Sequence, residues 1–96
     1  MAVLSHSLFF YGGIKMETRV AVIGIIVEKR ESAAELNAVL SEYADKIIGR
    51  MGIPYAKKAI NCITIVIDAE ADEINTLCGR LGKIDGITSK ATFSNV

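Results

Sequence analysis

Residues Arg19–Val27 read RVAVIGIIV, and the architecture follows from how such a segment can be buried. As a strand it is apolar on both sides: Val20, Val22, Gly24 and Ile26 on one, Ala21, Ile23, Ile25 and Val27 on the other. A strand with one wet face alternates apolar and polar residues. This one does not, so both of its faces need cover. In a small domain two helices cover one face of a sheet, and the other face is expected against a second copy of the chain. The bulkier Ile23, Ile25 and Val27 suit the helix side, so the face carrying Gly24 is the expected subunit contact. Glycine inside a strand marks either close approach of another backbone or a bulge, and both readings are open at Gly24.

Downstream, the charged turn Glu28–Glu31 leads to Ser32-Ala33-Ala34-Glu35, which fits a capping box. Leu36, Val39, Leu40, Tyr43 and Ile47 follow at helical spacing, so a helix is expected over Ala33–Ile47, with Gly49 as its left-handed cap. Arg50–Lys58 reads as a weak strand, and Pro54 sends it to an edge. Ile60–Asp68 is a strong strand with Ile63, Ile65 and Ile67 on one face and Cys62, Thr64 and Val66 on the other. Acidic residues from Asp68 to Asp72 open a second helix, whose stripe is Ile74, Leu77, Leu81 and Ile84. Asp85-Gly86 is a turn, and Ile87–Phe93 is the last strand. Strand, helix, strand, strand, helix, strand with right-handed crossovers gives an α+β fold: a ferredoxin-like βαββαβ sandwich, with a four-stranded antiparallel sheet and two helices on one face. In that topology the first and third strands are central, and here they are the most apolar. A core of about 80 residues buries roughly 60–65% of its unfolded surface, and covering the second sheet face would add to that.

The composition bounds the function. Half of the residues (51%) are hydrophobic and 23% are charged, which describes a globular chain. Eleven basic residues balance eleven acidic ones, so the basic excess of a nucleic-acid binder is missing and no direct nucleic-acid contact is expected. Two cysteines, Cys62 and Cys78, give neither a disulfide framework nor a four-cysteine zinc site, and free thiols suit the cytoplasm. No apolar run spans a membrane. Residues 1–15, MAVLSHSLFFYGGIK, differ in character from the rest and are expected to be a leader arising from the choice of start site. The domain then spans residues 16–96 and begins at Met16. The other reading is a genuine flexible or swapped arm.

The single histidine, His6, lies in that leader, so the domain holds no Ser–His or Cys–His pair. Nor is there a phosphate loop or dinucleotide fingerprint. No catalytic residue, no cofactor and no enzymatic activity are expected. Cys62 is the one candidate for a metal ligand or redox thiol; the plainer reading is a small buried hydrophobe.

VAVIGIIVE at Val20–Glu28, IIGRMGIPY at Ile47–Tyr55 and LGKIDGI at Leu81–Ile87 resemble the family of iron-only hydrogenase system regulators. The resemblance implies an ACT-like fold, similar to the C-terminal domain of nickel-responsive repressors. Asn61-Cys62 matches the Asn-Cys pair of that domain, whose cysteine ligates nickel. Its histidine ligands fall at Pro54 and Ala56 here, so a square-planar nickel site is not implied. No counterpart of the repressors' DNA-binding ribbon is expected, since Met16–Arg19 leaves no room for it. ACT domains often hold small ligands where the first strand–helix turn meets the second strand of a neighbouring subunit. The resemblance therefore implies a ligand site at Arg30, Ser32, Arg50, Gly52 and Tyr55, with Arg50 able to hold a carboxylate or phosphate. Glu-Lys-Arg-Glu replaces the Gly-rich turn of the amino-acid-binding members, which argues against an amino-acid ligand. The expected function is a regulatory module that senses a small effector or oligomerises, tied to an iron-only hydrogenase system. The alternatives are a metal- or redox-responsive module using Cys62 and a purely structural oligomerisation domain. A homo-oligomer, dimer or tetramer, is expected through Val20, Val22, Gly24, Ile26, Thr64 and Val66.

Overall fold

A computed structural model describes residues 8–11 and 14–96. A short hairpin, β1 (Leu8–Tyr11) paired with β2 (Ile14–Glu17), precedes the main sheet. The hairpin lies across the expected boundary at Met16; residues 1–7 and 12–13 of the expected leader lie outside the described residues. The domain then runs β3 (Arg19–Val27), α1 (Ala33–Ser41), β4 (Ile47–Tyr55), β5 (Ile60–Ala69), α2 (Ala71–Gly82) and β6 (Ile87–Phe93). The sheet order is β4-β5-β3-β6, with every neighbour antiparallel. This is the ferredoxin-like sandwich. The two doubly apolar strands are central, and the strand with Pro54 is an edge.

Register sorts the side chains into two layers. Ala21, Ile23 and Ile25 lie opposite Ile67, Ile65 and Ile63, so all six share the helix face, and all are buried. Leu36 and Leu40 of α1 and Ile74, Leu77 and Leu81 of α2 close over them, each at most 2% exposed. Helix α2 is bound to this layer by its stripe; α1 is tied to α2 at the surface by a bidentate pair from the Arg80 guanidinium to Glu42, both contacts 2.9 Å. The bond to Glu42 raises the Arg80 pKa, and that to Arg80 lowers the Glu42 pKa. Arg80 also lies over the Tyr43 ring, 5.8 Å from its centroid. A second ion pair joins Lys46 to Glu73 at 2.9 Å.

Three local expectations need correction. Helix α1 stops at Ser41, well short of Ile47. The Ser41 hydroxyl donates back to the Ala38 carbonyl at 2.8 Å, and the amides of Glu42 and Tyr43 reach the carbonyls three residues back, so the last turn tightens. Ile47 fits the helical spacing but is the first residue of β4, a strand that Gly49 enters at a bulge and does not cap. Short apolar runs fit both periods, and here pairing with Ile67 decides. The capping box is not formed: α1 has no side-chain cap bond, and Ser32 sits in a 3-10 turn with its hydroxyl donating to the Asp85 carbonyl at 2.6 Å. Gly24 pairs in unbroken register with both Thr64 and Lys90, so it marks no bulge.

Candidate functional site

Among the described residues, two surfaces bear most directly on function. The first is the sheet face away from the helices. Val20, Val22, Gly24 and Ile26 pair across β5 with Asp68, Val66, Thr64 and Cys62, which puts all six expected contact residues on this one face, Val22 and Gly24 exposed and the other four half-buried. Val22 is 43% exposed. The face is lopsided. Toward β6 it carries Thr88, Lys90 and Thr92, all exposed. Toward β4 it carries Met51 and Ile53, opposite Thr64 and Cys62, with Tyr55 ending the row. Met51 and Ile53 are each more than half exposed. Sequence reasoning missed these two because it began the strand at Arg50 and weighed only the glycine and proline. The usable signal was the alternation Met51, Ile53, Tyr55. Cys62 stands half-buried in this row between Ile26 and Ile53. Among the described residues no group of three His, Cys, Asp or Glu side chains could hold a metal. Cys78 belongs to the edge of the core, where burial pushes its thiol pKa up.

The second surface is a cleft of about 460 Å³ at the end of the sheet. Its walls are the β3–α1 turn, Glu28–Glu31, and the two flanks of the β4–β5 turn, Pro54–Ala56 and Ala59–Asn61; Val27 also lines it. Both turns lie at the same end because Val27 is paired with Asn61. Within one chain the cleft gathers two of the five expected ligand residues, Arg30 and Tyr55. Ser32 is 7% exposed and spent on Asp85. Arg50 points elsewhere and donates to Asn37 Oδ1 at 2.8 Å. Gly52 lies over Ile63 on the helix side of β4, away from the cleft. The cations divide in the same way. Lys29 is held by Asp85, whose hydrogen bond raises the lysine pKa and whose own pKa is lowered in return. Arg30 has no hydrogen bond or ion pair among the described residues, which leaves it the uncommitted one of the two cations that line the cleft. Asn61, singled out in the sequence only as half of the Asn-Cys pair and not as a ligand residue, adds an exposed amide. Its only signal was position, and that depends on register.

Ala59 closes the β4–β5 turn at φ 57°, in the left-handed region. A Cβ there costs about 1 kcal/mol relative to glycine. Ala59→Gly should therefore raise stability by about 0.5–1 kcal/mol, seen as a Tm higher by a few degrees. A fall in Tm would show that the methyl group contributes packing to the cleft wall.

The profile of the TM1266-like family, iron-only hydrogenase system regulators, matches residues 19–91, from the start of β3 into β6. The chain belongs to this family. The matched span contains all three stretches that carry the resemblance. Among solved structures, uncharacterized protein TM1266 from Thermotoga maritima is 27% identical, with a TM-score of 0.77 over 80% of this chain and 98% of that one. The ACT domain of the GTP pyrophosphokinase of Chlorobium tepidum is 24% identical, with a TM-score of 0.66 over 78% of this chain and 99% of that one. That second likeness establishes an ACT-like fold. Curated proteins gave no match. No helix among the described residues is long and apolar enough to cross a membrane.

Proposed function

We propose that this member of the regulator family works by self-assembly: two copies pack their open sheet faces together, and a small effector held in the cleft adjusts that assembly. The observation that carries the reading is the open face itself, where Val22, Met51 and Ile53 are exposed on a sheet whose two central strands are packed by the helices on the other side. Contiguous apolar surface of this kind marks an interaction site, and an isologous contact needs only one such patch. The effector part is supported by the cleft, with an unpaired Arg30 beside apolar Val27, Pro54 and Ile60. These features suit a compact molecule with one anionic group.

Val22→Arg tests the assembly. The side chain is exposed in a single chain, so the arginine fits without disturbing the helix-side core. Between two copies it buries an unpaired charge, which costs several kcal/mol. Analytical ultracentrifugation should show the particle mass falling at least twofold while the circular dichroism spectrum is kept. An unchanged mass would remove this face as the interface. An effector would appear in native mass spectra as added mass on the assembled form, lost in Arg30→Gln.

A further inference from the structure

We infer that Lys90 and Asp68 are the charge pair that orients two open faces on each other, each Lys90 reaching Asp68 of the partner subunit. The inference rests on the face-to-face reading above and names the residues that select the partner. Asp68 ends the row Cys62, Thr64, Val66 on β5, opposite Val20. It is half-buried, and its Oδ1 is buried without a hydrogen-bond partner among the described residues. Buried polar atoms are nearly always paired, so this carboxylate oxygen lacks a donor. Lys90 lies on β6 opposite Gly24 and is exposed. Neither residue joins an ion pair among the described residues. They carry the only charges among the paired strand residues of the open face, one of each sign. Within one chain strand and residue spacing set their backbones roughly 16 Å apart, beyond the reach of a lysine.

Covering the face takes both charges out of water, and a buried charge without a counter-charge is strongly unfavourable. A wholly apolar partner would leave the two of them unpaired. A second copy brings the missing partner for each, because the two positions are related through Val22. Lys90 is level with Gly24, two residues beyond Val22, on the strand at one side of β3; Asp68 is level with Val20, two residues before Val22, on the strand at the other side. Val22 is therefore the midpoint between them. A two-fold axis that runs between the sheets over Val22, at right angles to the line from Lys90 to Asp68, exchanges the two positions. Each Lys90 then stands over Asp68 of the partner subunit, twice in the assembly. The same axis sets the exposed Val22 against Val22 of the partner subunit. Stacked sheets lie about 10 Å apart, a gap that a lysine and an aspartate span from opposite sides. The strands of the two sheets cross at about 70° in this arrangement, nearer the orthogonal class of sheet packing than the aligned one. The apolar residues supply the contact, and the charge pair selects one orientation of a like partner.

Charge exchange tests the pair. Lys90→Asp sets two carboxylates together at each contact, and Asp68→Lys sets two ammonium groups together. Each variant should weaken self-association at least tenfold in sedimentation equilibrium at low salt, with the circular dichroism spectrum kept. An equal mixture of the two should assemble again, since each contact then joins opposite charges, and native mass spectra should show the mixed species in excess of either self-paired one. The double variant Asp68→Lys, Lys90→Asp should regain wild-type association by itself. Lys90 is exposed, so Lys90→Asp also carries the test if Asp68→Lys fails to fold. Salt screens charges, so adding it should weaken the wild-type contact and strengthen that of Lys90→Asp. Single variants that associate like the wild type while Val22→Arg does not would overturn the charge pair and leave the face contact standing. A wild-type mass in Val22→Arg would overturn the face contact and the pair with it.

Discussion

Ile65→Ala is expected to remove about 4 kcal/mol of stability, the largest loss from any single truncation here. Ile65 has no exposed surface and sits mid-way along β5, opposite Ile23 on one side and Arg50 on the other. Its neighbours on the helix face, Ile63 and Ile67, are likewise buried, and the helices press the layer from above. Backbone hydrogen bonds hold β3, β4 and β5 in place, so the sheet cannot collapse onto the missing carbons. The lost transfer energy and the cavity then add. A domain of this size has about 5–10 kcal/mol in hand, so the variant would keep about half or less. At about 4–8 °C per kcal/mol, Tm should fall by some 15–30 °C. Urea unfolding followed by circular dichroism checks this: the midpoint should drop with its slope kept. A loss under about 2 kcal/mol would mean that the layer relaxes, contrary to this packing.

Gly86→Ala should be the next most damaging change, at about 3 kcal/mol, although it adds one carbon at a turn. Gly86 has φ +78°, where an L-residue costs about 1–2 kcal/mol. The new Cβ would also meet the Lys29 side chain, 2.6 Å from Cγ and 2.8 Å from Cβ. Lys29 cannot swing away freely, because its ammonium is held by Asp85 and its Cβ is fixed by the backbone. The turn is anchored too, with the Glu28 amide donating to the Gly86 carbonyl at 2.7 Å. Overpacking such a contact costs about 1–3 kcal/mol more. Truncating Lys29 to alanine in the same protein removes Cγ and Cδ and should return about 1 kcal/mol. Thermal unfolding of the two single variants and the double variant measures that coupling. If Lys29→Ala returns nothing, the cost is backbone conformation alone. Because Glu28 and Lys29 form one wall of the cleft, Gly86→Ala should also weaken any effector held there.

How much of this was legible depended on range. The order of elements, the two central strands and the edge placement of Pro54 follow from period-two and helical patterns inside short windows. The first strand alone announced an uncovered face, since no sheet with helices on one side can bury Val20, Val22 and Ile26. The ligand residues fared worse. Arg30, Ser32 and Arg50 look equivalent as polar residues around a turn, yet one lines the cleft, one is locked to Asp85 and one is turned to Asn37. Ser32 and its partner are 53 residues apart, and a single sequence carries no local trace of such a contact.

Arg19–Val27 thus declared which strand lies at the centre and that it is apolar on both sides, because alternation is a property of the chain's own geometry. Folding added what depends on meeting distant residues: the register that brings Met51 and Ile53 onto the open face, the cleft made where Val27 meets Asn61, and the left-handed glycine closed over Lys29. Those follow from strand pairing across the whole domain, where a shift of one residue turns every side chain to the other face.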